Sequence, residues 1–246
     1  MKGRSEVIDF PDPRDAPQDC DLLAVSRFGQ DGSIITAPKD IEWPKLTEFG
    51  SSWEPEVLLE AYRRGLFPMP FDIDGQEVGI GWWSPAQRAI FQPDAIKISR
   101  SLRKDLNKFT VTFNRNFDDV LGSCGDPRRP QGWINQDIAQ AYGWLHRMGI
   151  AHSVEVWQEG QLVGGLYGVA IGGVFAGESM FHKVTNASKV ALVHLARWLD
   201  DGTGRVIDSQ WLTEHLASLG AVAIHRDDYC DLVAEKCLLE APIPPV

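Results

Sequence analysis

The sequence predicts an α+β fold, an α/β sandwich built on a mixed, mostly antiparallel sheet. Three observations predict it. Apolar segments run as a meander through Ser153–Gln158, Gln161–Ala170 and Gly173–Met180, with Glu159-Gly160 and Gly172-Gly173 as turns. Stretches with helical spacing flank this meander on both sides. Two strand ends carry polar residues that a buried strand would not choose: Glu178 on one, Asp208 and Gln210 on another. Polar side chains at the ends of sheet strands are how such folds build sites.

The elements follow in order. Residues 1–21 are rich in Asp and Pro, have little to bury, and read as a flexible extension. Residues 22–85 read as a small first domain. A helix starts at Trp53, with Ser51 or Ser52 as its N-cap and Glu54 and Glu56 in its first turn. Leu58, Leu59, Tyr62 and Leu66 keep helical spacing; Gly65 breaks it and Pro68 ends it. Phe71 to Gly81 reads as a turn-rich loop, with Asp74-Gly75 as a hairpin turn.

Residues 86–239 read as the second domain, and 240–246 as a tail. Arg100–Asn107 is a helix with its basic face outward, Phe109–Phe113 a strand, and Phe117–Ser123 a short helix before the loop Cys124–Gly132. Asn135–Met148 keeps helical spacing through Ile138, Ala141, Tyr142 and Leu145, and Gly149 closes it. The meander follows, with Gly164 and Gly165 read as a Gly-rich turn between strand-like runs. Asn186 or Ser188 caps a helix through Leu199, Arg205–Asp208 is a buried strand, and Leu212–Leu219 is a helix closed by Gly220.

Composition narrows the function classes. The chain has 246 residues, enough for one large domain or two modest ones. It has no apolar run of about 18 residues, so no membrane span is expected. Its polar N-terminus has no apolar signal core. Cys20, Cys124, Cys230 and Cys237 have no CxxC spacing and read as reduced thiols of a cytoplasmic protein, not a disulfide framework or a zinc site. The net charge of −10 argues against a general nucleic-acid binder. Basic residues are nonetheless clustered: Arg100, Arg103, Lys104 and Lys108 in one run, Arg128 and Arg129 in another. By itself each run reads as a solvated face.

The strand ends carry the chemistry. Asp208 and Gln210 stand at i and i+2, so on a regular strand both side chains face the same side. The pair presents a carboxylate and an amide together, or Asp208 simply caps the next helix. Glu178 is flanked by apolar residues and needs a cationic or hydrogen-bonding partner, either Lys183 or a substrate.

Six blocks in this order, AHSVEVW, LVGGLYGV, GESMF, NASKVAL, ID-x-Q and HLASLGA, resemble the leucyl/phenylalanyl-tRNA–protein transferase family. Upstream YRRGLFP, WWSP, SRSLRK and WI fit the same pattern, and the resemblance runs from about Leu22 to Tyr229. It implies an acyl-CoA N-acyltransferase-like fold. The implied reaction transfers Leu or Phe, and Met as a third donor, from aminoacyl-tRNA to the N-terminal Arg or Lys of acceptor proteins. That addition marks them for N-end-rule degradation. No metal and no cofactor is expected, because the tRNA ester is already activated. The partners implied are Leu-tRNA, Phe-tRNA and those acceptor proteins, with the enzyme a cytoplasmic monomer.

The resemblance also assigns residues. Asp208 and Gln210 match a proposed proton-relay pair, and Glu178 helps to form the aminoacyl and acceptor site. Leu166, Phe175, Met180, Leu192, Leu195 and Ile207 make the apolar pocket for the donor side chain; read alone, such residues are ordinary core. Trp133 offers a surface for the terminal adenine, with Tyr142 further along the helix. Arg100, Arg103, Lys104 and Lys108 contact tRNA. The chain departs from the family's pattern at Met69, where Trp is common, at Gly132, where Thr is common, and at His182-Lys183, which stands for Ser-Arg. Two rival readings are an acyl-CoA-dependent acyltransferase and a non-catalytic RNA- or peptide-binding module. The first lacks a Gly-rich loop after Met180, and the second does not need the Glu178, Asp208 and Gln210 set.

Overall fold

The computed structural model describes residues 12–27, 53–73, 76–129 and 133–245. Its strands are β1 (Leu22–Arg27), β2 (Phe67–Ile73), β3 (Gln76–Trp83), β4 (Gln87–Phe91), β5 (Thr110–Phe113), β6 (Ala151–Gln158), β7 (Gln161–Ile171), β8 (Val174–His182), β9 (Val206–Asp208) and β10 (Val222–His225). The helices are α1 (Pro55–Arg63), α2 (Arg100–Asp105), α3 (Phe117–Cys124), α4 (Gln136–Arg147), α5 (Ala187–Leu199), α6 (Glu214–Ser218) and α7 (Arg226–Lys236). β1, β3 and β2 make a small sheet in that order, and the large sheet runs β10-β4-β9-β8-β7-β6-β5. Among the described residues of the large sheet only β8 and β9 pair in parallel, and α5 carries the chain between them. The expected α+β architecture with a mixed, mostly antiparallel sheet is what the chain adopts.

The large sheet is buried on both faces. Tyr167, Val169, Ala176 and Phe181 face a cluster that contains α1, α3 and α4 residues such as Leu58, Tyr62, Val120 and Tyr142. Leu166, Ala170, Phe175 and Ile207 face the other way, onto α5 through Val190, Leu192, Leu195 and Leu199. The first cluster also holds Phe67, Ile80 and Trp82 of the small sheet, so one core spans both expected domains.

Several local expectations are corrected. Gly164 and Gly165 are not a turn but lie inside β7. A Cβ on Gly164 would sit 2.5 Å from that of Ala187, so the glycine lets the start of α5 approach the sheet. Phe71–Gly81 is not a loop but most of the β2–β3 hairpin, paired from Phe67↔Trp83 to Ile73↔Gln76; the expected Asp74-Gly75 turn lies outside the described residues. The expected caps Ser51 and Ser52 also lie outside them, and α1 begins on Pro55 at its first position, where a missing N–H costs nothing. β4, β10 and α7 were not expected at all.

The extension is pinned from Asp12 onward. Arg226, fully buried, donates to the carbonyls of Ala16 and Pro17 (both 3.2 Å), of Ser84 (2.9 Å) and of Cys20. Arg14 adds a 2.7 Å ion pair to Asp231. Proline and aspartate carry little apolar surface, but one buried guanidinium with five donors binds several free carbonyls at once.

Candidate active site at the parting of two parallel strands

β8 and β9 run in parallel register from Val174↔Val206 to Ala176↔Asp208. There β9 ends, while β8 continues to His182 against β7. In sheets with parallel strands, ligands bind outside the carboxyl ends of neighbours that part. Glu178 lies just past this point. It is the extra residue of a bulge, because Tyr167 pairs with Ser179 and Gly168 with Gly177. The bulge also shifts the alternation of β8. Phe175 and Met180, five positions apart, both face the α5 side, whereas Ala176 and Phe181 face the other. Glu178 is thereby aimed at α1 and α4.

Its partners are two tyrosines. Tyr62 donates to Oε1 at 2.7 Å and Tyr142 to Oε2 at 3.0 Å, with the two hydroxyls 2.6 Å apart. Lys183 is not a partner; its ammonium lies 5.6 Å from the ring centre of Phe181. Burial pushes the Glu178 carboxyl up to about 7, against the lowering effect of the two hydroxyl donors. The same burial, with Glu178 beside them, holds the Tyr62 and Tyr142 phenols well above their ordinary range.

A raised carboxyl is a stability statement. Between its unfolded value of 4.5 and about 7, folded Glu178 holds a proton that the unfolded chain has released. The stabilisation is therefore complete below pH 4.5 and lost as pH rises through about 7. Across that window, urea titrations should show wild type losing roughly 2–3 kcal/mol relative to Glu178→Gln. Parallel stability curves for the two proteins would refute it.

Asp208 has a different environment. Arg88 of β4 meets it through Nε at 2.8 Å and Nη2 at 2.6 Å; Tyr229 donates to Oδ2 at 2.9 Å and the backbone N–H of Gln210 to Oδ1 at 3.0 Å. Arg88 is 1% exposed and Asp208 0%. The guanidinium lies between the rings of Phe67 and Tyr229, 4.6 and 4.3 Å from their centres, and reaches the carbonyl of Gly65 at 3.1 Å. Burial is the largest single influence and works to lower the Arg88 pKa, but the charges of and hydrogen bonds to Asp208 and Tyr229 together raise it.

Gln210 does not share a strand face with Asp208. The strand stops at Asp208, and Gln210 sits at φ +58°. Its side-chain Nε2 is buried with no hydrogen-bond partner among the described residues. The expected side-by-side pair is thus replaced by a corner, with the backbone of Gln210 on Asp208 and its amide donor left free. Trp211 is held beside it by Asp21 (Nε1 to Oδ2, 3.0 Å) and meets Phe67 edge-on at 4.9 Å.

The other expected residues fall into three groups. Leu166, Phe175, Met180, Leu192, Leu195 and Ile207 come together in the α5-side cluster; five are 1–3% exposed, and only Met180 is half-buried. Trp133 is half-buried against the other cluster. Tyr142 is fully buried, so it meets the site through its hydroxyl and offers no ring face for a base. Arg100, Arg103 and Lys104 are exposed along α2, whereas Lys108 is tied to Asp105 at 2.6 Å. Arg129 does not form a solvated basic face. It bonds the carbonyls of Cys124 and Met180, both at 2.7 Å, and clamps the loop after α3 onto β8.

Tyr62, Arg88 and Tyr229 were not among the expected site residues. Arg88 left one signal, a lone cation in the apolar run Arg88-Ala89-Ile90-Phe91. Tyr62 looked like helix core, which it also is. Tyr229 stands in an acidic, weakly patterned helix and left none.

The family described as leucyl/phenylalanyl-tRNA protein transferase matches residues 90–234, and its N-terminal domain matches residues 53–86. A leucyl/phenylalanyl-tRNA–protein transferase from Shewanella halifaxensis is 50% identical over 76% of this chain and 80% of that protein. One from Azoarcus sp. is 49% identical over 79% of this chain and 83% of that protein. Among solved structures, a GCN5-related N-acetyltransferase from Kribbella flavida overlaps 69% of this chain and 62% of its own, with 12% identity and a TM-score of 0.35. No helix among the described residues is long and apolar enough to cross a membrane. With both family profiles matched in order and half of the aligned residues shared with such relatives, this chain belongs to the leucyl/phenylalanyl-tRNA protein transferase family.

Proposed function

We propose that this chain transfers Leu or Phe from aminoacyl-tRNA to proteins that begin with Arg or Lys, forming a peptide bond and marking them for N-end-rule degradation. It would do so as a cytoplasmic monomer without a metal or cofactor. The observation that carries the reading is the unpartnered amide donor of Gln210, two residues past the end of β9, together with the carboxyl of Glu178, two residues past the last β8 residue that pairs with β9. An ester under attack by an amine develops negative charge on its carbonyl oxygen, and a donor already in place stabilises it. The attacking amine, and the cationic side chain next to it, need an acidic group.

Each remaining group has a place in this reading. Asp208 and Arg88 hold the corner that aims Gln210. The donor side chain enters the α5-side cluster past Met180, the half-buried member, whose unbranched thioether adapts to two shapes. An apolar pocket separates Leu, Phe and Met by only a few kcal/mol, so all three are accepted to different degrees. Trp133 provides the stacking surface for the terminal adenosine. Arg100, Arg103 and Lys104 meet tRNA phosphates, with Lys108 contributing less because Asp105 already holds it.

Incubation with radiolabelled Leu-tRNA and either of two peptides, one starting with Arg and one with Ala, tests the proposal. Label is expected on the Arg peptide at least about tenfold above the Ala peptide, as one charge-assisted contact of about 1.4 kcal/mol would give. Equal labelling removes the acceptor rule, and absence of label from both removes the activity.

A further inference from the structure

Two acids stand where β8 and β9 part, Asp208 buried and Glu178 half-buried, and their hydrogen bonds differ in a way that assigns them different work. A carboxylate has about four lone-pair positions. Asp208 has all four occupied, by Arg88 Nε, Arg88 Nη2, the Tyr229 hydroxyl and the Gln210 N–H. A proton arriving there would have to expel one of these donors and would leave Arg88 buried beside a neutral partner.

Glu178 is one proton short. It forms a ring of three oxygen contacts with Tyr62 and Tyr142, of 2.7, 3.0 and 2.6 Å. Two hydroxyls carry two protons, and three contacts need three. When both tyrosines donate to the carboxylate, the 2.6 Å contact between their oxygens has no hydrogen in it. A proton added to Glu178 completes the ring: the acid donates to one hydroxyl, that hydroxyl to the other, and the second back to the acid.

We propose that Glu178 takes the proton from the attacking α-amine and that Asp208, with its lone-pair positions filled by four donors, is a positioning residue. The inference rests on the transferase reading. In the step, the amine nitrogen forms a bond to the ester carbonyl carbon and the bond from that carbon to the ribose oxygen breaks. The amine proton passes to Glu178, and Glu178 returns it to the departing ribose oxygen, so the acid ends as it began. The charged and titratable groups that face Glu178 are Tyr62 on α1, Tyr142 on α4, Tyr167 on β7, Arg88 on β4 and Asp208 on β9, with Cys124 on α3 behind Tyr167. Among the described residues, Tyr62 and Tyr142 are the ones that hydrogen-bond the carboxyl.

Two measurements on the full chain test it. The first follows single-turnover transfer from Leu-tRNA to an Arg-initiated peptide against pH. Wild type should show a rising limb near pH 7. Glu178→Gln should lose the limb and roughly 10²- to 10³-fold in rate at saturating peptide. Tyr142→Phe removes a donor to the carboxylate and should move the limb to higher pH. The second measurement needs no activity: infrared difference spectra of the free protein should show a carboxylic-acid band titrating near pH 7 and missing in Glu178→Gln. A folded Glu178→Gln protein that keeps the limb, or a wild type without the band, overturns the proposal. A wild type with the band but no transfer overturns the transferase reading and the catalytic role with it.

Discussion

Arg88→Leu should lose roughly 3–5 kcal/mol of stability, the largest single-residue loss expected here. Asp208 is 0% exposed and is held through Nε and Nη2 of one guanidinium. Leucine there leaves a carboxylate in the interior with only the Tyr229 and Gln210 donors. The same change also removes the cation between Phe67 and Tyr229 and the bond to the Gly65 carbonyl. The loss therefore reaches beyond β4, to the turn after α1 that carries Tyr62. Urea unfolding of Arg88→Leu, Asp208→Asn and the double variant measures it. The double variant should be more stable than the sum of the single losses predicts, because neither charge is then left without the other. A loss below about 1 kcal/mol in Arg88→Leu would mean that water reaches Asp208.

Gly168→Ala is expected to cost at least about 3 kcal/mol and most of the transfer activity, beyond what one methyl group usually does in a core. Its Cβ would lie 2.3 Å from the carbonyl oxygen of Ala176 and 2.4 Å from the Phe175 ring. A ring can tilt away, but the carbonyl belongs to the backbone of β8. Gly168 stands at the register shift that makes Glu178 the extra residue, so relief of the clash changes where Glu178 points. The opposite case is Gly122 in α3, where an added Cβ meets nothing within 4 Å. There the same substitution should stabilise by up to about 1 kcal/mol, because alanine is the better helix former. Thermal unfolding and transfer rates of the two variants, side by side, separate the mechanisms. Equal effects in both would show that β8 yields enough room for a methyl group at Gly168.

The structure also shows where patterns of residues mislead. The meander β6–β7–β8 was legible because alternating apolar residues and turn glycines agree over thirty residues. The β2–β3 hairpin was not, because Pro68 and Pro70 interrupt the run that pairs with Ile80 and Trp82. The N-terminal stretch looked empty of anchors; from Asp12 onward it is held by Arg226, far away in the chain, and Ala16 packs against the core. Gly164 and Gly165 looked like a turn because glycine often is one, and here it makes room for α5 instead.

The sequence by itself determined the family, the mixed sheet and the identity of the polar strand-end residues Glu178, Asp208 and Gln210, since ordered blocks and local patterns lie within a few residues of each other. Only the tertiary structure decided what each acid can do. Glu178 takes its character from Tyr62 and Tyr142, 116 and 36 positions away, and Asp208 from Arg88, 120 positions away. Whether a carboxyl holds or refuses a proton depends on the donors around it and on its distance from water. Those donors come from α1, α4, β4 and α7, which only the fold brings to one place.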